Sequence, residues 1–124
     1  MGTIEEALKK IFTVDSEKER LEFELIKRQL TIMFKVEDAM VAQQLNRKQF
    51  AEKVGISSGY LNNMFSTDYF LNKKIIKRFE DALNIEIDET DKNVYLEKLK
   101  ALNVIKRRMR KNGTLVKNYK NKEQ

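Results

Sequence analysis

The sequence predicts an all-α protein: a helical bundle with a capped pair of short helices at its centre, a helical extension before it and a last helix with a basic tail. Three observations predict it. Apolar residues recur three and four apart through most of the chain, the spacing that lines one face of a helix. The stretch from Ser16 to Gln44 holds no glycine or proline that would interrupt a helix. Asn46, Ser57 and Asn72 each stand just before such a run, where a short polar side chain can accept a hydrogen bond from a free N–H of the first turn. With 124 residues, 41% of them apolar, the chain can bury one modest core. We divide it into an N-terminal helical extension (1–30), a central domain (31–90) and a C-terminal helix with a basic flexible tail (91–124).

From Ser16 to about Gln44 the chain keeps Leu21, Leu25, Leu30, Phe34 and Met40 among many charges and reads as one long helix or two. Its later portion, from about Thr31, would pack Val36, Met40 and Val41 behind the central pair. The earlier part exceeds what that domain needs. An amphipathic pattern shows a buried face without naming what buries it, so three readings stay open: pairing with a second copy, docking on another protein, or lengthening the domain's own core.

Residues 47–66, RKQFAEKVGISSGYLNNMFS, carry the central pair. The first helix is expected over Arg47–Val54, with Asn46 as N-cap and Gln49 three residues on reaching back in a capping box. Ala51 is small where a second helix would cross closely. Gly55 falls where the chain must leave the helix sharply, and a residue without Cβ takes the left-handed conformation at little steric cost. Ser57 then caps a second helix whose Leu61 and Met64 join Phe50, Val54 and Ile56 in one small core. Ser58, Gly59, Asn62 and Asn63 are left pointing outward. Two helices so arranged form a helix-turn-helix, the element that places its second helix in the major groove of DNA.

After the pair, Ser66 to Leu71 reads as a loop in which Tyr69 and Phe70 serve as anchors, and Asn72 caps a helix whose Ile75, Ile76, Phe79, Ala82 and Leu83 face the core. From about Asp91 a last helix carries Tyr95, Leu99, Leu102, Ile105 or Lys106, and Met109 near heptad spacing. It runs into the basic run Lys106, Arg107, Arg108, Arg110, Lys111 and is expected to stop at Asn112-Gly113. That run reads either as the charged end of a dimerising stripe or as a helix end lying against phosphates. Lysine and arginine in a last turn are also favoured by the helix dipole alone.

Charge is distributed unevenly. Residues 1–45 hold seven Lys/Arg against nine Asp/Glu, residues 46–90 seven of each, and residues 91–124 eleven against three, so the net +6 arises entirely in the last part. A basic end with Lys117, Lys120 and Lys122 supplies attraction to DNA that is independent of sequence and falls with salt.

The sequence also excludes much. Cysteine and histidine are absent, which removes disulfides, zinc fingers, Cys/His pairs, Ser/His/Asp triads and most transition-metal sites together. The acidic residues sit beside Lys and Arg, as in Glu17 with Lys18 and Arg20 or Asp81 with Lys77 and Arg78, and read as solvated faces with local ion pairs. No catalytic residue, metal site or cofactor is expected, and the protein is read as not an enzyme. No apolar run reaches membrane-spanning length and the amino terminus lacks the order of a secretory signal, so a cytoplasmic location is expected.

Leu45 to Phe65, followed by a helix ending Phe79, Ala82, Leu83, Asn84, Ile85, resembles the helix-turn-helix family that includes Cro and the phage repressors, over about half the chain. The family usually has an acidic residue near the end of its recognition helix and a glycine soon after. Those places are taken here by Phe65 and by Ser66 or Thr67.

The resemblance implies a transcriptional regulator, a repressor occupying an operator, with a recognition helix at about 57–66. Ser58, Gly59, Asn62 and Asn63 would face base edges; an asparagine amide can donate to N7 of adenine and accept from its N6–H, so adenine is expected in each half-site. Asn46, Arg47 and Tyr60 would lie near phosphates, as would Ser57 at the helix start and Lys73 and Lys74 at the start of the following helix. Lys106, Arg107, Arg108, Arg110 and Lys111 would add non-specific contact. A single small domain offers limited interface, so the expected partner is double-stranded DNA, bound by a homodimer on a pseudo-palindromic site with half-sites about one helical turn apart. The alternative is an antitoxin-like or adaptor protein whose main partner is a toxin-like or other protein, held by the N-terminal or C-terminal helix. A third reading, a nucleic-acid-coating protein driven by the basic end, would show steep salt dependence and no sequence preference.

Overall fold

The computed structural model describes the backbone of residues 3–123 and the side chains of Ile4 and of residues 16–110. Among the described residues every regular element is a helix: α1 (Thr3–Ala42), α2 (Arg47–Val54), α3 (Ser58–Phe65), α4 (Lys73–Leu83) and α5 (Glu89–Glu123). None of them is long and apolar enough to cross a membrane.

The two long helices run antiparallel. Glu24 pairs with Lys98, and Asp91 lies 2.9 Å from Lys35 and 4.0 Å from Arg28, so the chain direction reverses between them. The three shorter helices pack across the later half of α1. Their common core is apolar and contiguous: Leu21, Leu25, Ile32, Met33, Val36 and Met40 from α1 meet Phe50, Leu61, Met64, Ile76, Phe79 and Leu83 from the short helices, and Tyr95, Leu102 and Ile105 from α5. Phe50 and Phe79 lie with ring centroids 5.2 Å apart and planes tilted 51°, a geometry that contributes about 1 kcal/mol beyond the area buried.

Several expectations are corrected. Ser16 to Ala42 is part of a single helix with no break at residue 30; beyond Ala42 the chain turns, Gln44 being left-handed with φ 58° and the Leu45 N–H closing onto the Met40 carbonyl at 2.8 Å. Val41 is 71% exposed rather than packed behind the pair, because it lies about a quarter-turn from Met40 on a helix with only one face covered. The heptad-like stripe of α5 is spent within the chain. Tyr95, Leu102 and Ile105 are buried in the common core, and Leu99 and Met109 pack at its edge, so the stripe lies on α1 and is not free to dimerise. Leu21 and Leu25 likewise extend the chain's own core. Finally, α5 does not stop at Asn112-Gly113 but continues to Glu123. A lone interior glycine costs a helix about 1 kcal/mol, too little to end one by itself. The side chains of Lys111, Lys117, Lys120 and Lys122 lie outside the described residues.

One acidic residue departs from the solvated pattern. Glu80 is buried, its Oε2 accepting from the Ile87 N–H at 3.0 Å and from Lys92 Nζ at 2.9 Å. It thereby holds the turn after α4 against the start of α5. At the same place Asn84, left-handed with φ 53°, ends α4, and Gln43 Nε2 donates to the Leu83 carbonyl at 2.7 Å.

Candidate nucleic-acid interface

The α2–α3 pair is built by local rules that the residues obey in detail. Asn46 Oδ1 accepts from the Gln49 N–H at 2.8 Å while Gln49 Oε1 accepts from the Asn46 N–H at 2.9 Å, so the two N–H donors at the start of α2 are each satisfied by the other residue's side chain. Gly55 takes φ 85° and its N–H reaches the Ala51 and Glu52 carbonyls, with the Ile56 N–H also on Ala51. An L side chain there would be strained. Ser57 Oγ accepts from the Tyr60 N–H at 3.1 Å and opens α3. Asn46 and Ser57, both expected at phosphates, thus have their side-chain oxygens engaged in capping, and what they present outward is the rest of a helix start.

Leu61 and Met64 turn α3's buried side inward. At about 100° per residue, Gly59, Asn62 and Asn63 fall on the opposite side and Ser58 on its flank. Ser58, Gly59 and Asn62 are exposed, while Asn63 is only half exposed. The Asn63 carbonyl accepts from the Asp68 N–H at 2.8 Å and from Ser66 Oγ at 3.2 Å, which draws the following loop over this residue. A methyl group built at Gly59 would meet nothing within 4 Å. Among the described residues no packing reason requires glycine at that position.

Arg47 is folded onto α3. Its guanidinium lies 4.1 Å from the centre of the Phe65 ring and Nη1 donates to Asn62 Oδ1 at 3.0 Å. The contact fixes the orientation of the Asn62 amide, with its NH2 group turned away from Arg47, and leaves one oxygen lone pair for a second donor. Phe65 occupies the place where the resembled family carries an acidic residue; here it is the platform for this arginine. Thr67, at one of the two positions where a glycine was expected, takes the left-handed conformation with φ 65°.

The loop between α3 and α4 is clamped from below by a residue that the sequence reading passed over. Gln29 of α1 is fully buried. Its Nε2 donates to the Met64 carbonyl at 2.9 Å and to the Tyr69 carbonyl at 2.8 Å, and its Oε1 accepts from the Leu71 N–H at 3.1 Å. The Tyr95 hydroxyl of α5 lies 2.9 Å from both Gln29 Oε1 and the Leu71 carbonyl and shares its proton between them. Burial pushes the Tyr95 hydroxyl pKa well above the usual tyrosine value. The signal was present in the sequence: Gln29 stands four after Leu25 and three before Ile32, a polar residue in a core register. Above the clamp, Tyr69 packs on Tyr60 with centroids 5.7 Å apart, so Tyr60 is stacked and half-buried.

The basic residues are placed unequally. Lys73 and Lys74 are exposed in the first turn of α4, whose cap Asn72 accepts from the Ile75 N–H at 2.8 Å. Lys106 lies 5.7 Å over the ring of Phe70, in the loop that follows α3. The fold therefore brings the start of the α5 basic run to the loop that follows α3, although 36 residues of sequence separate Lys106 from Phe70. Arg107, Arg108 and Arg110 are exposed beyond it, and Lys111 lies outside the described side chains. At the other end of α5 the Lys98 ammonium hydrogen-bonds Glu24 and holds its carboxyl below the usual carboxylate range. Comparison with protein-family models, with curated proteins and with solved structures finds no match to this chain.

Proposed function

We propose that this chain is a sequence-specific DNA-binding regulator of transcription, a non-catalytic repressor of the Cro-like helix-turn-helix type, in which α2 and α3 form the motif and α3 enters the major groove. A dimer would bind a pseudo-palindromic operator. The observation that carries the reading is the outward side of α3. A short helix, capped at its start and clamped at its end, presents Gly59 with open space in front of it beside Asn62, whose amide is oriented by Arg47. In this reading Asn62 is the principal base reader. Asn63, half-buried, contributes less, and Gly59 lets the backbone approach the groove. Lys73, Lys74 and the run from Lys106 follow the phosphates.

The experiment is Gly59→Ala, because folding and DNA binding then move in opposite directions. The open site accepts a methyl group and the helix gains about 0.5–1 kcal/mol, so thermal stability rises. DNA affinity, measured on duplexes selected from a randomised library at physiological salt, falls by about tenfold or more if the backbone approaches closely. A stabilised protein that binds its selected site undiminished refutes the assigned face. A library giving no enriched site refutes sequence-specific binding and leaves the antitoxin-like or adaptor reading.

A further inference from the structure

On the side of α1 turned away from α5, Phe23, Phe34 and Val41 are 60%, 62% and 71% exposed, and Leu30 between them is partly buried. Their spacings are seven, four and seven. At 100° per residue the four fall within about 40° of arc and extend for about 27 Å along the helix. Single exposed apolar residues are ordinary, but four in heptad register form the seam by which two helices pack knobs into holes. The seam is one helix wide and flanked by charge, which suits a partner helix better than a broad apolar surface.

The flanking charges say which helix. Lys27 lies near the amino end of the stripe, with Nζ 4.9 Å over the Phe23 ring. Glu37 and Asp38 lie near its other end, and among the described residues neither has an ion-pair partner. Two copies aligned parallel would set each Asp38 against the other copy's Glu37, a like charge, and would leave Lys27 facing no opposite charge at its own level. Aligned antiparallel about a two-fold axis near residue 32, Phe23 of one copy faces Val41 of the other, Leu30 faces Phe34, and each Lys27 comes to the level of the other copy's Asp38 on the same flank. The same self-complementarity is what a two-fold interface requires.

We infer that the outer face of α1 is the dimer interface of this protein, formed by antiparallel pairing with the same face of a second copy. The inference supplies the surface for the dimer in the reading above, and it is tested without DNA. Sedimentation equilibrium across micromolar concentrations gives a dimer for the full chain. Phe34→Glu weakens dimerisation by about tenfold or more, while its melting temperature at low concentration stays close to that of the unmodified monomer because the side chain is exposed. Lys27→Glu and Asp38→Lys each weaken the dimer several-fold, and the double variant Lys27→Glu/Asp38→Lys recovers it. A full chain that stays monomeric, a dimer indifferent to Phe34→Glu, or charge swaps without mutual rescue each overturns the inference. A dimer that passes these tests and selects no DNA site overturns only the functional reading; a monomer that selects one overturns only the interface.

Discussion

Replacing Gln29 with methionine keeps the length and volume of the side chain and removes all four of its hydrogen bonds. Two of the partners retain an alternative: the Tyr95 hydroxyl can donate fully to the Leu71 carbonyl, and the Met64 carbonyl still receives the Thr67 N–H at 3.3 Å. The other two do not. The buried Leu71 N–H and the Tyr69 carbonyl lose their only hydrogen-bond partner among the described residues. An orphaned buried backbone group costs about 1–3 kcal/mol; the Leu71 N–H carries that cost in full, whereas Tyr69 is 50% exposed and water can take over at its carbonyl, so the variant should be destabilised by about 2–3 kcal/mol, a sizeable part of the 5–15 kcal/mol typical of a domain. At this chain length that corresponds to a fall in melting temperature of about 10 °C. Urea denaturation followed by circular dichroism measures it. Tyr95→Phe, which leaves Gln29 Oε1 its bond to the Leu71 N–H, should cost only about 1 kcal/mol, and the double variant should cost less than the sum. A Gln29→Met loss below 1 kcal/mol would refute the clamp, since it would mean that the loop settles as well without it.

Three further outcomes follow from the same geometry. The Tyr95 hydroxyl stays protonated in the folded chain while the unfolded chain ionises near the ordinary value of 10.0; a raised folded pKa contributes fully below that value and is lost as pH rises above it. Urea midpoints should therefore fall above pH 10 more steeply for the unmodified protein than for Tyr95→Phe, and equal slopes would contradict the burial argument. Thr67→Gly relieves a β-branched residue held at φ 65°, a strain of about 1–3 kcal/mol against a glycine entropy penalty of about 0.5–1, so the melting temperature should rise by a few degrees. Neutralising the exposed Arg107 and Arg108 with glutamine should weaken selected and random duplexes alike and reduce the slope of log K against log salt by about 2; an effect confined to the selected site would place these residues at bases instead.

What was legible in the sequence is what is decided within a few residues. The capping box of Asn46 and Gln49, the caps Ser57 and Asn72 and the left-handed Gly55 fall where expected, because each depends on a side chain reaching a backbone group three or four positions away. The burial of Phe50, Leu61 and Met64 was legible for the same reason. Partners distant in the chain were not. The α5 stripe of Tyr95 and Leu102 looks the same whether α1 or a second copy covers it, and only the fold decides for α1. Gln29 spans 35 to 66 residues to reach its partners, so its register hinted at burial but not at what it bonds. Asn112-Gly113 reads as a helix stop, yet a lone glycine's penalty is small beside the continuity of a long helix. The resemblance places Arg47 near phosphate; its seat on Phe65 and Asn62 depends on how the two helices cross.

The exposed stripe and the buried glutamine belong to one helix, and that has a mechanical consequence. Phe23, Leu30, Phe34 and Val41 lie on the outer side of α1, while Gln29 on its inner side grips the last turn of α3 and the loop beyond it. Between them there is no glycine, proline or break. In a dimer paired through the stripe, the orientation of each α3 relative to the two-fold axis is then set by the rotation of α1 about its own axis, not by a linker. A linker would tolerate half-sites at several spacings. A rigid α1 should tolerate one, and loosening the grip at Gln29 should broaden the accepted spacing before it abolishes binding to a single half-site.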